Sequence, residues 1–240
     1  SRRSLSRADT DLLHDLKPLL MKMASNRASL ADFRNLLDRV MPHRNHLGSH
    51  LLLDSEEAWA MLTEMYEESM PEASYLDFFW SARSLLGNFY SILLAEIPYA
   101  KIYHTTCTGY AGLLAARAHL QTGRPVVLTE HGIYTNERRI EIASVDWLDR
   151  DTFSRSFTID RTRRELRDLW MDTFTNYSRI CYESASRIVT LFHGNQLPQI
   201  EDGAAPEKMM VIPNGINVER FASLPKLNGG SRAPTIAFIG

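Results

Sequence analysis

Four short strand-like runs, separated by segments with helical periodicity, constrain the fold more than any other feature of the sequence. They occupy residues 101–104, 126–129, 187–192 and 208–212. Strands that alternate with helices form βαβ units. Such units build a mostly parallel sheet, because each helical crossover brings the chain back to the end of the sheet at which the previous strand began. The sequence therefore predicts an α/β fold with a Rossmann-like parallel sheet.

The second run is the most informative of the four. Pro125 can only open a strand, since it has no N–H for a central ladder. Residues 126–128 are all apolar, which is typical of a strand covered on both faces. The run stops abruptly at residues 129–132, a polar Thr-Glu-His-Gly cluster. Ligands of open α/β sheets bind in the crevice beyond the carboxyl ends of the strands, so we expect the functional site here.

The side chains of this stretch each allow a functional and a structural interpretation. In the functional interpretation, His131 hydrogen-bonds a sugar hydroxyl and helps to stabilise the charge that develops as a bond breaks. In the structural interpretation, it connects the strand end to a neighbouring loop. Glu130 is either a base or a ligand for hydroxyls, or it caps the next turn. Glu137 and Arg138 either recognise a polar acceptor or belong to a solvated charged loop. Gly132 lets a ligand approach the backbone closely.

Downstream of the polar cluster, residues 133–151 are charged and irregular, and Tyr134 and Trp147 are their conspicuous side chains. We predict no regular element there. A long helix is expected over residues 161–184 and a short one over residues 195–202.

A second candidate binding position is Gly109, within the Thr-Gly-Tyr-Ala-Gly segment that follows the first run. A helix is expected over residues 110–120, with Gly123 as its C′ residue. Backbone N–H groups at such a helix start can receive a phosphate or a hydroxyl. The GxGxxG fingerprint is incomplete, so the dinucleotide signal is weak, and close packing of helix on strand explains Gly109 and Gly112 without a ligand.

The Asn214-Gly215 dipeptide is the third distinctive position. Asn-Gly is the strongest hairpin-turn dipeptide because both residues tolerate positive φ. Residues 217–221 do not have the pattern of a returning strand. A tight turn that leads out of the domain is therefore the favoured interpretation.

Residues 1–99 are predicted to be mainly helical. Helices are expected over residues 11–23, 30–40, 56–68 and 75–93. Ser29, Ser55 and Ser74 are their candidate N-caps. The last of these helices is apolar all round, which predicts that it is buried.

Three histidines in this helical segment invite a metal interpretation. His43, His46 and His50 would align on one helix face, and imidazole suits zinc or copper. Pro42 and Gly48 interrupt the helix that such an alignment requires, so a polar loop is the favoured alternative.

Composition narrows the class of protein. The net charge of −2 argues against a general nucleic-acid binder. No apolar run approaches the length of a membrane span, and no signal peptide opens the chain. Cys107 and Cys181 lie far apart, which favours reduced thiols in a cytosolic protein. Residues 234–240 resemble the first strand of a further α/β domain, so we expect the chain to be a piece of a longer protein.

Taken together, these segments resemble family 4 retaining glycosyltransferases of GT-B architecture. The segments that carry the likeness are residues 129–133, 188–190 and 211–216. Four stretches narrow the resemblance to the Pel exopolysaccharide glycosyltransferases: residues 104–112, 128–138, 191–195 and 199–204. The resemblance covers residues 100–221 strongly, and residues 1–99 fit less specifically as the insertion of that subgroup.

The resemblance implies two Rossmann-like domains that face a cleft. Residues 100–221 would form the first, acceptor-side domain, and the second, beginning in residues 222–240, would hold a UDP-sugar. His131 matches the histidine that contacts the transferred sugar, and Asn214 and Gly215 match the crossover between the domains. The resemblance implies no metal cofactor. The remaining residues that we expect to bind substrate are His104, Gly109, Glu130, Gly132, Tyr134, Glu137 and Arg138.

Parts of the family pattern have no counterpart in this sequence: the opening strand with its glycine-rich loop, and nearly all of the donor domain. We therefore expect the isolated chain not to transfer sugar. The expected partners are a UDP-sugar, a polysaccharide acceptor and an inner-membrane polysaccharide synthase, with no nucleic acid. The alternatives are a non-catalytic module that docks synthase partners and another Rossmann-type nucleotide-binding protein. An oxidoreductase is disfavoured by the incomplete fingerprint, and a hydrolase by the lack of a GxSxG elbow.

Overall fold

A four-stranded parallel sheet, with the strands side by side in chain order, is the centre of the α/β half. The computed structural model describes residues 7–144 and 165–222. The strands are β1 (Tyr103–Thr105), β2 (Val126–Glu130), β3 (Ala185–Thr190) and β4 (Met209–Val211). Every neighbouring pair is parallel, which confirms the predicted sheet. Trp147, the start of the helix expected from residue 161, and the strand expected at residues 234–240 lie outside the described residues.

Helices flank this sheet and make up most of the described chain. Five α-helices precede β1, and a 3-10 turn at Met41–His46 lies between the second and the third of them. Further 3-10 turns span His193–Asn195 and Pro206–Lys208. The described α-helices are α1 (Arg7–Ala24), α2 (Leu30–Val40), α3 (Ser49–Leu53), α4 (Glu56–Ser69), α5 (Tyr75–Leu94), α6 (Tyr110–Thr122), α7 (Tyr134–Ala143), α8 (Leu166–Ser184), α9 (Gln196–Glu201) and α10 (Val218–Ala222).

The helix ends follow the capping residues that the sequence predicted. Ser29, Ser55 and Ser74 are the N-caps of α2, α4 and α5. At Ser29 the cap is reciprocal, since its N–H also donates to the Asp32 carboxylate at 2.9 Å. Gly123 ends α6 in the left-handed region with φ +69°, where the missing Cβ removes the steric penalty.

Two predictions about local structure were wrong. The segment expected to be irregular from residue 133 contains α7. Its sequence carries only a short apolar stripe, with Ile142 buried and Ile140 exposed, so periodicity gives a weak signal. The third strand was placed at residues 187–192, whereas β3 begins two residues earlier and ends at Thr190.

The two faces of the sheet are covered to different degrees. One face packs against α6 and α8, and its buried cluster consists of Ala115, Val126, Leu128, Cys181, Tyr182, Ala185, Ile188 and Ala204. On the other face, Val127 and Thr129 are only half-buried, and His104 and Arg187 are exposed. Within the described residues, the second face of β2 is thus only partly covered, and not fully as expected. An apolar run alone does not reveal how much of the chain lies over each face.

Packing continues without interruption across the expected boundary at residue 99. Phe33 of α2 and Phe89 of α5 belong to the same buried cluster as Leu113 of α6 and Tyr177 of α8. Phe89 and Tyr177 are stacked, with ring centroids 6.4 Å apart and an angle of 13° between the ring planes. A fully buried side chain of this size stabilises the fold by roughly 1.5–3 kcal/mol. The helical segment is thus anchored on the helices of the sheet.

One face of α5 does not contribute to this core. Phe78, Phe89 and Leu93 are buried as expected, but Leu76 is 62% exposed and Trp80 is 59% exposed. The prediction that α5 is buried all round is therefore wrong for these two positions, because α5 lies at the surface of the helical segment and packs on one side only.

A buried cation at the junction was not anticipated from the sequence. Arg117 of α6 is fully buried, and its Nη1 donates to the carbonyl oxygen of Ile92 at 2.5 Å. That oxygen lies in the last turn of α5, where carbonyls lack intrahelical partners and the helix dipole favours a positive charge. Burial, and to a smaller extent the nearby Arg44, lowers the pKa of Arg117 to about 10. The guanidinium therefore stays charged at neutral pH and caps α5 from the neighbouring helix.

The three candidate metal-ligating histidines do not converge. His43 and His46 lie in the 3-10 turn, His50 lies in α3, and all three are exposed. Within residues 7–144 and 165–222, no three His, Cys, Asp or Glu side chains come together in an arrangement suited to a metal ion. In the same residues, no helix combines the length and the hydropathy needed to cross a bilayer.

Candidate functional site

Two consecutive titratable residues at the end of β2 differ in their burial. Glu130 is 1% exposed, whereas the next residue, His131, is exposed. A strand places successive side chains on opposite faces, and Glu130 continues the buried face that begins with Val126 and Leu128. The polar cluster predicted from the sequence therefore divides into a buried part and an exposed part.

The Glu130 carboxylate accepts three hydrogen bonds from different parts of the chain. The Tyr134 N–H at the start of α7 donates to Oε1 at 3.1 Å. The Tyr182 hydroxyl of α8 and the Gln199 amide of α9 donate to Oε2 at 2.7 and 2.8 Å. The carboxylate thus holds three helices on the end of β2. Of the two interpretations offered for Glu130, this is the capping role; its role as a ligand for substrate hydroxyls stays a prediction.

Burial dominates the protonation of this carboxylate. It raises the pKa of Glu130 above the ordinary value, against the opposing effect of the hydrogen bonds from Gln199, Tyr182 and Tyr134. Burial likewise raises the pKa of Tyr182, and the adjoining Glu130 charge raises it further. The Tyr182 hydroxyl therefore stays protonated at neutral pH and can donate to Glu130.

A second buried carboxylate extends this network. Asp202, which follows α9, accepts a short hydrogen bond from the Thr135 hydroxyl in the first turn of α7. Arg139 approaches the other Asp202 oxygen at 3.8 Å. These contacts join α7 to α9 directly. We call the set of Glu130, Thr135, Tyr182, Gln199 and Asp202 the inner cluster.

The exposed side chains at the same edge form a different set. His104, His131, Glu137 and Phe192 are all exposed, and we call them the outer rim. His104 projects from β1, and its Nε2 lies 2.9 Å from the Thr129 hydroxyl of β2. Within the described residues, the His131 imidazole makes no hydrogen bond to another protein group. Its carbonyl accepts from the Asn195 side-chain amide at 3.3 Å.

The N-terminal turn of α7 brings further predicted residues to this edge. The Glu137 carboxylate lies over Gly132, so closely that a Cβ at Gly132 would overlap its Oε1. Arg138 stacks on the Tyr134 ring at 5.0 Å from the centroid, and its Nη1 pairs with Glu141 at 2.7 Å. Glu137 and Arg138 thus lie on a helix beside the polar cluster, and not in the loop that the sequence suggested.

Gly109 and His131 lie at the same edge of the sheet, as predicted. Gly109 follows β1 and His131 follows β2, and the Tyr134 ring occupies the space that a Cβ at Gly109 would need. Gly112 is constrained differently, because a Cβ there would lie 2.7 Å from Cys181 Sγ. The glycines thus allow close packing against Tyr134 and α8, and not against a strand as predicted from the sequence.

Asn214 and Gly215 lie in an exposed irregular segment between β4 and α10. Within the described residues no strand returns from this segment, and residues 212–217 form no tight turn of the kind expected. That the segment leads out of the domain stays a prediction. The positive φ expected for an Asn-Gly turn is absent at both positions, since the described residues with positive φ are Asn26, Gly123 and Gly203.

The hydrogen-bond partners of the buried Glu130 carboxylate were not predicted from the sequence. Tyr182 and Gln199 are 52 and 69 residues away from Glu130 in the chain, so no local motif predicts these two contacts. The cysteines add no reactive group: burial raises the pKa of the thiols of Cys107 and Cys181, which disfavours the nucleophilic thiolate.

The arrangement offers an accessible imidazole on a rigid support. His131 follows a central strand directly, and its backbone is fixed through Asn195. A neutral imidazole both donates and accepts hydrogen bonds, so it can contact a hydroxyl or a developing charge in the crevice. The inner cluster is occupied by its own hydrogen bonds and supplies rigidity to this support.

Comparison with known proteins gives one match. A family model described as a domain of unknown function (DUF3492) matches residues 2–207 of the chain. No curated protein and no solved structure matches.

Proposed function

Since the chain belongs to the DUF3492 family, whose description assigns no activity, we propose a function from the chain's own residues. The chain is the acceptor-side part of a retaining GT-B glycosyltransferase. The complete enzyme transfers a hexosyl unit from a UDP-sugar to a growing exopolysaccharide of the Pel type. It works in the cytoplasm, at the inner face of the membrane, where polysaccharide synthase partners hold it.

One observation carries this proposal: His131 is exposed directly beyond the carboxyl end of a central parallel strand. That position is the ligand-binding crevice of open α/β sheets. The preceding Glu130 is occupied by three hydrogen bonds within the protein. The exposed imidazole is therefore the titratable group of this strand end that remains available to a substrate.

The proposed role of His131 is to contact the sugar that is transferred. A hydrogen bond from the imidazole that strengthens as the glycosidic bond to UDP breaks lowers the barrier, because it is stronger in the transition state than in the ground state. Glu137 and Arg138 lie on the first turns of α7, beside the crevice, and would contact the acceptor. No step in this scheme needs a metal ion.

The direct test of the function is UDP release in a protein that joins this chain to a donor domain. We expect UDP to be released from a UDP-hexose when an acceptor glycan is present. The isolated chain should release none, because positioning of donor and acceptor between both cleft walls can supply roughly 7–11 kcal/mol of barrier reduction. The absence of any sugar transfer by the joined protein, across a panel of UDP-hexoses, would contradict the proposal.

Calorimetry with UDP tests the assignment to the acceptor side. In GT-B enzymes the second domain holds the nucleotide, so UDP should bind the isolated chain only weakly. Micromolar binding would mean that the donor site lies in this chain.

A second candidate function is supported by the surface of the helical segment. Trp59 and Trp80 are 52% and 59% exposed, and both rings contact Phe79, with centroids 4.7 and 5.3 Å away. Exposed aromatic patches favour protein contacts, as a non-catalytic docking module would require. Burial of Phe78, Phe89 and Tyr90 in the protein's own core weakens this alternative. We therefore rank it below the transferase.

A further inference from the structure

Two exposed tryptophans lie side by side on the surface of the helical segment. Trp59 belongs to α4, and Leu76 and Trp80, which are also exposed, belong to α5. Both indole rings contact the buried Phe79 ring, and the Tyr75 ring centroid lies 6.0 Å from that of Trp59. We call Trp59, Tyr75, Leu76 and Trp80 the tryptophan surface. None of these residues belongs to the inner cluster or to the outer rim.

The spacing of the exposed side chains matches that of an amphipathic helix. Leu76 and Trp80 are four residues apart, so they lie on one face of α5 and about 6 Å apart along its axis. An amphipathic helix repeats its apolar residues at the same interval of three or four positions. The side chains of two such helices pack as ridges into grooves, and Trp59 of α4 widens the contact. The shape of the tryptophan surface therefore suits a helix.

The aromatic rings are held in place by contacts within the protein. The Tyr75 hydroxyl lies 3.0 Å from that of Thr63, and the Tyr75 ring packs edge-on against Tyr66. The Trp80 ring packs edge-on against Phe79, with centroids 5.3 Å apart. Tryptophan and tyrosine are over-represented among the residues that dominate the binding energy of protein interfaces, and an ordered side chain loses less entropy on binding. These rings are thus suited to a protein partner.

The charge of the same helices selects among possible partners. Residues 54–82, which include the whole tryptophan surface, contain eight Asp or Glu residues and no Lys, Arg or His. Three of the carboxylates pair with Lys17 or Arg83, so these two cations offset only part of the negative charge. A second copy of this chain, an anionic bilayer or a nucleic acid would bring like charge to the surface. A basic partner is attracted instead.

From this geometry and charge we infer that the tryptophan surface docks a basic amphipathic helix of a partner protein. The apolar face of that helix covers Leu76 and Trp80, and its Lys or Arg side chains pair with carboxylates of α4 and of the first turn of α5. The inference rests on the part of the proposed function in which partner proteins hold the chain. It goes further because it names the surface that is held and the chemistry of the segment that covers it.

The first test is selection from a phage-displayed library of amphipathic helices of about 18 residues, with a fixed leucine face and randomised polar positions. The target is the complete 240-residue chain. The selected helices should contain more Lys and Arg than the unselected library. Selection of no helix, or of helices without this excess, overturns the inference.

Substitutions locate the binding site of a selected peptide. Trp80→Ala should weaken its affinity about tenfold or more, and Leu76→Ala severalfold, with far-UV circular dichroism unchanged. Leu197→Ala is the matched control and should bind like the wild type, because Leu197 of α9 is 64% exposed and Leu76 is 62% exposed. Wild-type affinity in both surface variants would mean that the peptide binds elsewhere and that the assignment of this surface is wrong.

A double variant, Glu67→Gln with Asp77→Asn, tests the charge and keeps every apolar side chain. Glu67 lies about two turns beyond Trp59 on α4, and Asp77 lies in the turn before Trp80 on α5. The double variant should bind the basic peptide more weakly than the wild type, and the difference should shrink as salt is added. Equal affinity of the two proteins at low salt would show that charge does not select the partner, and the inference would fail.

Other occupants and the transferase itself are tested separately. Self-association in sedimentation, or binding to phosphatidylserine vesicles, that Trp80→Ala abolishes would show that a second copy or a lipid surface covers these rings, against the inference. Peptide binding without UDP release by the joined protein would reject the transferase and uphold the docking surface. UDP release without peptide binding would do the reverse.

Discussion

The inner cluster and the outer rim lie at the same edge of the sheet, but their polar groups differ in burial and in hydrogen bonding. In the inner cluster, the Glu130 carboxylate is 1% exposed and its oxygens accept hydrogen bonds from three helices. In the outer rim, His131 is exposed, and among the described residues its hydrogen bond is to the backbone, where its carbonyl accepts from Asn195. Glu130 and His131 are consecutive in the chain.

This difference indicates how the edge combines stability with access. A buried polar group costs free energy unless it is hydrogen-bonded, so the inner cluster has one favourable arrangement and fixes α7, α8 and α9 around it. An exposed group loses little when it lacks a partner, because water replaces the partner. The rim can therefore carry groups selected for a ligand, and substitutions in the two layers should affect different measurements.

Removing the carboxylate of the inner cluster should have the largest effect. Glu130→Ala leaves the Tyr182 hydroxyl, the Gln199 amide and the Tyr134 N–H without their acceptor in a buried site. We expect a loss of about 3–5 kcal/mol in the free energy of unfolding, measured with urea. A loss below about 1 kcal/mol would show that water or rearrangement satisfies these donors, and the distinction between the two layers would fail.

The pH dependence of stability is a second test of the buried state of Glu130 in the inner cluster. Burial raises the pKa of Glu130 in the folded state above its ordinary value of 4.5, so the folded protein retains this proton to a higher pH than the unfolded chain. The stabilisation from this group is fully present below the unfolded pKa and is lost as the pH rises through the folded pKa. In urea titrations from pH 4 upward, the stability difference between wild type and Glu130→Gln should therefore shift against the wild type as the pH increases. A difference that is independent of pH would contradict the raised pKa.

The outer rim should respond in activity instead. In a protein that joins this chain to a donor domain, His131→Ala should lower the rate of sugar transfer by roughly ten- to a hundredfold, because one hydrogen bond to the reacting sugar is worth about 1–3 kcal/mol. The free energy of unfolding should change by less than about 0.5 kcal/mol, as is usual for exposed positions. Wild-type turnover in this variant would make His131 a structural residue.

The sequence predicts the local elements of the fold better than it predicts the two layers at this edge of the sheet. Strand-like runs, the caps Ser29, Ser55 and Ser74, and the left-handed Gly123 are local features, and the structure confirms them. Each depends on residues a few positions apart, within reach of periodicity and capping rules.

The inner cluster could not be predicted because its contacts are long-range. Gln199 lies 69 residues beyond Glu130 in the chain, and no pattern near either residue indicates that they meet. The helix α7 was missed for a different reason, since its sequence has only a short apolar stripe, although Glu130, four residues before Tyr134, was among the residues expected to cap the next turn. His131 was identified because its position after an apolar run is itself a local signal, but its exposure follows only from where Glu130 is buried.

Replacing Gly112 or Gly132 by alanine adds a single methyl group to the packed fold or to the outer rim. Gly112→Ala should give the larger loss of stability. Alanine gains about 1 kcal/mol over glycine in a helix. The added Cβ, however, lies 2.7 Å from Cys181 Sγ and 3.2 Å from the Cys107 carbonyl oxygen. Both neighbours are held in packed structure, so overpacking should cost about 1–3 kcal/mol and outweigh the gain. We expect a net loss of roughly 1 kcal/mol in urea unfolding.

Gly132→Ala should give the smallest change in stability, although its Cβ would approach a neighbour even more closely. The neighbour is Oε1 of Glu137, the end of a flexible and exposed side chain that can rotate away. The backbone at Gly132 does not have positive φ, so the methyl group also reduces the freedom of the unfolded chain. We expect a change within about 0.5 kcal/mol. Displacement of Glu137 should instead raise the acceptor KM in the joined protein. A loss above 1 kcal/mol in Gly132→Ala would mean that the rim is part of the packed fold, because only a rigid Glu137 could transmit the clash to the rest of the structure.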